Sequence, residues 1–227
     1  MNIAIIPARS GSKRIKNKNI KLFHKKPIIY YSIIAAKKSK LFSEIYVSTN
    51  SNKIKNISKK FGAKILNRPN NFLSGDKAEI MDVISYETKK LKTKIKKKFN
   101  VCCIFPASPF IKPDDLIKSF KLLVKKNFTY VFAVSKVNTN IQRTFELSSN
   151  NKLKKFNIKN MKKRSQEFRE RYFDIGQFYF ASSDAWIKKK KVISKKSGVI
   201  KINPLYDIDI NNKEDFNKAE KIYKIKN

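Results

Sequence analysis

Asn2-Ile3-Ala4-Ile5-Ile6-Pro7-Ala8-Arg9-Ser10-Gly11-Ser12-Lys13-Arg14-Ile15, followed by Lys18-Asn19-Ile20, opens the chain. The short apolar run Asn2 to Ile6 reads as a first buried strand. Pro7 to Lys26 reads as a long phosphate-facing loop after it. Arg9 to Arg14 packs a small flexible residue, hydroxyls and three cations into six positions. Backbone N–H groups near Gly11, with Arg9, Lys13 and Arg14 around them, make a cradle for a polyphosphate. The loop lacks the GxxxxGK[ST] spacing of a P-loop and the GxGxxG dinucleotide fingerprint.

Strands and helices alternate outward from that loop. Pro27 opens a helical pattern through Ile28, Tyr31, Ile34 and Ala35. Glu44 to Thr49 is a strand, Ser51 to Phe61 a helix stopped by Gly62, and Ala63 to Leu66 a short strand. Asp76 to Leu91 is a helix, Val101 to Phe105 a strand, Pro113 to Lys126 a helix and Tyr130 to Val134 a strand. This rhythm predicts βαβ units and a mainly parallel sheet. Residues 138–185 then form an excursion, from which Gly176 to Ala181 returns as a strand. Val199 to Ile202 is a further strand and Lys213 to Ile225 a closing helix. The whole chain, 1–227, is expected to be one domain.

Ligands of open parallel sheets bind at the carboxyl ends of the strands. The Arg9–Arg14 loop lies at such an end, as do Ser48-Thr49, Pro106 to Pro109, and Ser135. Asp207 and Asp209 alternate along a strand-like run, so their carboxylates are expected on one face. Such a pair either holds Mg²⁺, which prefers oxygen ligands and phosphate partners, or caps a turn. Asp215 reads as an early residue of the last helix.

The formal charge is +36, with 53 Lys and Arg against 17 Asp and Glu. Only seven of the basic residues are arginine, and the lysines run along the whole length beside abundant Asn and Ile. An AT-rich coding bias produces that composition, so most of the charge reads as solvated surface. Arginine is then expected to persist where a planar bidentate group is needed, as at Arg9, Arg14, Arg68, Arg143 and Arg164. Hydrophobic residues at 41% exclude a disordered polyelectrolyte. No apolar stretch reaches the roughly 20 residues of a bilayer span, and the N-terminus lacks signal-peptide features. A cytoplasmic location is therefore expected. His24, the single histidine, reads as a loop residue, and Cys102 and Cys103 as buried strand packing in a reducing compartment.

The opening loop, from Pro7 to Ile15 with Lys18-Asn19-Ile20, closely resembles that of the CMP-sialic acid synthetases, which reads approximately ARxGSKxxxxKN. The resemblance extends colinearly through Ile45 to Thr49, Arg68-Pro69, Ser108-Pro109 and Asp207-Ile208-Asp209. The related Kdo cytidylyltransferases end this loop in GKP instead. Arg164-Ser165-Gln166, then Asp174-Ile175-Gly176-Gln177-Phe178-Tyr179, resembles the RSQ…DxGQFY pattern of pseudaminic acid cytidylyltransferases. Ile141-Gln142-Arg143 and Cys102-Cys103-Ile104 resemble the same subgroup. N-acetylneuraminate enzymes usually carry Gln where this chain has Phe105.

The resemblance implies a three-layer Rossmann-like nucleotidyltransferase fold, with a small dimerisation excursion that helps to complete the sugar site. It implies Mg²⁺-dependent transfer of CMP from CTP to the anomeric hydroxyl of a nonulosonic acid, most closely pseudaminic acid, with pyrophosphate released. Catalysis is then expected from Arg9, Lys13 and Asp209, and nucleotide binding from Arg9, Ser12, Lys13, Asn19, Arg68 and Ser74. Sugar binding is expected from Arg143, Arg164, Gln166, Asp174 and Gln177, and Mg²⁺ binding from Asp207 and Asp209. CTP, a nonulosonic acid and a second copy of the chain are the implied partners, with no membrane and no specific nucleic acid. N-acetylneuraminic or legionaminic acid is the alternative sugar. A basic nucleic-acid-binding protein is the alternative from another class.

Overall fold

Strand β1 (Asn2–Pro7) is buried along its entire length, as a strand must be when both faces of its sheet are covered. The computed structural model describes residues 1–69, 72–75, 77–154 and 157–226. After β1 come a hairpin of β2 (Leu22–Phe23) and β3 (Lys26–Pro27), then α1 (Ile29–Lys38), β4 (Glu44–Thr49), α2 (Asn52–Lys60) and β5 (Lys64–Asn67). Next are α3 (Ile80–Lys94), β6 (Asn100–Ile104), α4 (Pro113–Lys125) and β7 (Tyr130–Lys136). The excursion carries β8 (Glu146–Leu147), β9 (Leu153–Lys154) and α5 (Ile158–Met161). Then β10 (Tyr172–Ser182), α6 (Ser183–Ile187), β11 (Ser197–Ile202) and α7 (Lys213–Lys226) complete the chain.

Seven strands form one sheet in the order β11-β7-β10-β6-β1-β4-β5. All run parallel except β10, which is antiparallel to both of its neighbours. Alternation along the strands builds two cores. Ala4 and Ile6 of β1 join Ile29 and Ile33 of α1, Ile54 of α2 and Leu116 of α4 on one face. Ile3 and Ile5 join Ile84 and Leu91 of α3 with Ala185 and Trp186 of α6 on the other. The same alternation sends Cys102 into the first core and Cys103 into the second. Both thiols are fully buried, and burial pushes them up from their ordinary range, which accords with packing rather than chemistry.

The chain runs from β1 to β4 and β5 on one side, then crosses back to β6 on the other. That reversal opens a crevice at the carboxyl ends of β1 and β6. A third cluster, with Phe23, Ile28, Phe110, Ile210 and Phe216, packs the hairpin and α7 beneath the crevice's outer rim.

Several boundaries differ from the sequence reading. Pro27 closes β3, and α1 begins at Ile29. The hairpin turn uses left-handed His24 and Lys25, with φ of 43° and 65°, where such turns ordinarily show Asn or Gly. His24 packs on Phe23 and Tyr223 and pairs its Nε2 with the Glu220 carbonyl at 2.9 Å, a structural position. Helix α3 starts at Ile80, and the expected start at Asp76 lies outside the described residues. The excursion from the sheet ends before Tyr172, because β10 is longer than its expected core of Gly176 to Ala181.

Candidate active site

The opening loop leaves β1 under tight control. Ala8 N–H donates to the Ser48 carbonyl at 2.9 Å, and Ser10 donates through both its N–H and its hydroxyl to Asn50 Oδ1. Gly11 follows with φ of 81°, a conformation that glycine supplies without strain, and the space where a Cβ would stand is open. Asn19 is buried, and its Nδ2 donates to the Arg9 carbonyl at 3.0 Å, so it shapes the loop from below. Arg9 Nη1 reaches the Gly75 carbonyl at 2.8 Å and ties the loop to the segment after β5.

A second clamp joins the loop to the segment before α7. Lys18 Nζ donates to the Ile210 carbonyl at 2.8 Å. Arg14 Nη2 donates to Asn211 Oδ1 at 3.2 Å, and Asn211 Nδ2 donates to Asp209 Oδ2 at 2.7 Å. Burial lowers the Lys18 ammonium from its ordinary value, Asp209 opposes that, and Arg14 and Arg9 reinforce it. Helix α7 is itself capped reciprocally, with Asp215 N–H donating to Asn212 Oδ1 and Asn212 N–H donating to Asp215 Oδ2. Asp215 is thus an early helix residue, as expected.

Between these two clamps lies a cavity of about 480 Å³ at the carboxyl ends of β1 and β6. Arg9, Ser12, Lys13, Asn19, Arg68 and Asp209 line it, so six of the expected residues converge there. Arg14, Lys18, Asn211 and Ser108 line it too. Leu73, Ile80, Val83 and Phe105 give it an apolar wall. Among the described residues that line it, Asp209 is the single carboxylate against five cationic side chains. Such a cleft holds a polyanion, and its apolar wall suits a flat ring.

Arg68 is only 6% exposed, and burial lowers its guanidinium to about 10. Its Nε donates to Ser48 Oγ at 3.1 Å and its Nη2 to the Ser48 carbonyl at 2.9 Å. The Phe105–Pro106 segment is fixed by the Ser32 hydroxyl, which donates to the Phe105 carbonyl at 2.7 Å. Phe105 N–H donates in turn to the Gln177 carbonyl.

Other expected residues stand elsewhere. The Ser74 hydroxyl donates to the Pro69 carbonyl at 2.7 Å and holds a turn, without lining the cleft. Asp207 lies just after a 3-10 turn at Pro204–Tyr206 and lines a separate depression with Asn138 and Lys218. Asp207 and Asp209 therefore do not face one space, because the segment is not the strand that their alternation suggested. Arg143, Arg164 and Gln166 are exposed on the excursion, away from the cleft. Asp174 is spent inside β10, accepting from Gly176 N–H at 2.9 Å and the Tyr179 hydroxyl at 2.6 Å. Gln177 is 4% exposed, with Nε2 donating to the Tyr206 carbonyl at 3.1 Å. Their neighbour Gly176 is the residue of this group that reaches the cleft.

Arg14 belongs to the expected polyphosphate cradle, whereas Lys18 stands in the opening motif without an expected role; charge and position carry the signal for both. Asn211, Leu73, Ile80 and Val83 carry none.

A family model described as cytidylyltransferase matches residues 3–226. The chain belongs to the cytidylyltransferase family. It is therefore a nucleotidyltransferase. A pseudaminic acid cytidylyltransferase of Campylobacter jejuni is 34% identical over 224 residues, covering 99% of this chain and 97% of that one. An N-acylneuraminate cytidylyltransferase of Escherichia coli is 30% identical, with 99% of this chain matched to 52% of that protein. Among solved structures, CMP:2-keto-3-deoxy-manno-octonic acid synthetase complexed with CTP superposes with a TM-score of 0.71 at 12% identity. That likeness covers 100% of this cytidylyltransferase and 99% of the other chain, and shows the shared fold.

Proposed function

We propose that this cytidylyltransferase transfers CMP from CTP to the anomeric hydroxyl of pseudaminic acid and releases pyrophosphate. The observation that carries the sugar is the end-to-end likeness to the Campylobacter jejuni pseudaminic acid enzyme. Phe105, where the sequence departs from the N-acetylneuraminate pattern, lines the cleft, as does Gly176 of the pseudaminic-type DxGQFY segment. These two positions support a sugar pocket at that end, beside the loop.

The chemistry follows from the cleft's charges. The anomeric hydroxyl gives up its proton to water as its oxygen bonds to the α-phosphorus and the α–β phosphoanhydride bond breaks, and the leaving pyrophosphate takes up the electron pair of that bond. Phosphoryl transfer of this kind rests on positioning and electrostatic stabilisation. Arg9, Ser12 and the N–H groups around Gly11 hold the triphosphate, and Lys13 stabilises charge on the leaving group. Arg68 and Asn19 hold the nucleotide against the apolar wall.

Among the described residues no group of three or more His, Cys, Asp or Glu side chains gathers as a metal site. Mg²⁺ is nevertheless well served by one carboxylate when phosphate oxygens and water supply the rest. Asp209, the one carboxylate among the described residues of a cationic cleft, fits that donor set, whereas Asp207 lines the separate depression. When bound, the ion polarises the α-phosphate. Asn211 holds the Asp209 carboxylate in place for that role.

A homodimer accompanies this reading. Ile141, Phe145, Leu147, Leu153 and Ile158 are exposed on the excursion, an apolar set that suits contact with a second copy. Arg143 and Arg164 sit on the same excursion, where a partner's cleft could receive them. No described helix is long and apolar enough to cross a membrane.

The test is a panel of pseudaminic, legionaminic and N-acetylneuraminic acids with CTP and Mg²⁺. Pseudaminic acid is expected to give a kcat/KM at least about tenfold above the others, a modest discrimination for one sugar pocket. Preference for N-acetylneuraminic acid contradicts the sugar assignment.

A further inference from the structure

Arg68 is positioned by a chain of contacts that runs beneath the cleft. Glu87, from α3, is fully buried. Its Oε1 accepts from the Ser48 hydroxyl at 2.7 Å, and that same oxygen, Ser48 Oγ, accepts from Arg68 Nε at 3.1 Å. Ser48 thereby bridges a buried carboxylate to a buried guanidinium, and its carbonyl holds Nη2 as well. Glu87 Oε2 makes no hydrogen bond and has Lys90 Nζ at 3.7 Å. A carboxylate taken wholly out of water is costly unless it compensates another charge. Burial pushes the Glu87 carboxyl up, while Ser48, Lys90 and Arg68 hold it down. Three different elements, β4, α3 and the residue after β5, converge to make this chain, and its far end opens into the cleft.

We propose that Glu87 is a positioning residue for nucleotide binding, acting through the Ser48 hydroxyl to fix the Arg68 guanidinium at the cleft wall. The inference rests on the reading that this cleft binds CTP. Two bonds to Ser48 fix the plane of the guanidinium, Nη1 donates to the Leu73 carbonyl at 3.5 Å, and the other N–H donors are left for the ligand. Loss of the carboxylate frees the Ser48 hydroxyl, the acceptor of Nε, and lets the fork rotate, which weakens the ligand contact without touching the reacting atoms.

The test is isothermal titration of CTP into the whole protein and into Glu87→Gln, Ser48→Ala, Arg68→Met and the Glu87→Gln/Arg68→Met double variant, with a thermal melt of each. Glu87→Gln and Ser48→Ala are each expected to weaken CTP binding roughly tenfold, the size of one lost charge-assisted contact. KM for CTP should rise in step while kcat stays within about twofold. In the Arg68→Met background Glu87→Gln should add less than about twofold, because its effect runs through Arg68. An undiminished loss in that background, or a lowered melting temperature with CTP affinity unchanged, makes Glu87 merely structural and overturns the proposal. Should Glu87→Gln not fold, Ser48→Ala alone and combined with Arg68→Met carries the same cycle. A wild-type protein that binds no CTP overturns the nucleotide reading as well, whereas wild-type binding with additive losses overturns only the role of Glu87.

Discussion

Asp209 and Asp207 separate the two ways in which a carboxylate can matter here. Asp209 faces five cations in the cleft and is held by Asn211, whereas Asp207 looks into another depression. Asp209→Asn is expected to lower kcat/KM by on the order of 100-fold, since the proposed role of Asp209 as the anionic ligand of Mg²⁺ needs its charge. Asp207→Asn is expected to stay within about threefold, and both variants should melt near the wild type. Steady-state kinetics with thermal melts check this; equal losses in the two variants contradict it. The sequence could announce the pair but not divide it. A strict period of two holds only in a strand, and Asp207 instead closes the Pro204–Tyr206 turn with φ −89° and ψ 23°. The loop was easier to read, because Arg9, Ser12 and Lys13 are adjacent in sequence and their chemistry needs no long-range partner. Arg68 was legible as a retained arginine, but not its burial or its dependence on Ser48.

The elements show the same division. β1, β4, α2 and α4 follow from apolar runs, the Ser51 cap and Gly62, all of which are local signals. The β2–β3 hairpin hid because His24 and Lys25 occupy its turn, so no Asn-Gly signature marked it. β10 was only half read. Its register shifts between Asp174 and Tyr179, which breaks the alternation, and its antiparallel direction has no trace in periodicity. Gly176 stands in that irregularity with φ 59°. Gly176→Ala is expected to destabilise the protein by about 1 kcal/mol, the ordinary cost of a Cβ in left-handed backbone. The added methyl meets no protein atom but enters the cleft, so KM for the sugar should rise severalfold while KM for CTP holds. Denaturant titration and initial rates check the two halves separately. A change in CTP KM alone contradicts the placement of the sugar beside β10.

At the scale of the molecule, the sheet order explains why so distant a set of residues meets. Reversal of the strand order across β1 brings the loop after β1, the end of β6, the segment after β5 and the approach to α7 to one crevice. The net charge of +36 is spread over the surface, yet among the described residues the cleft concentrates arginine and lysine around a single carboxylate. Charge in that enclosed space acts on a ligand, while exposed lysines are screened by salt. The central claim is that this cleft joins CMP to a nonulosonic acid. Its most direct measurement is pyrophosphate release from CTP, followed with the CMP-sugar formed in the same reaction. Release is predicted only when Mg²⁺ and pseudaminic acid are both present, with one CMP-sugar made for each pyrophosphate. Pyrophosphate released without the sugar, or no release with any of the three acidic sugars, contradicts the account.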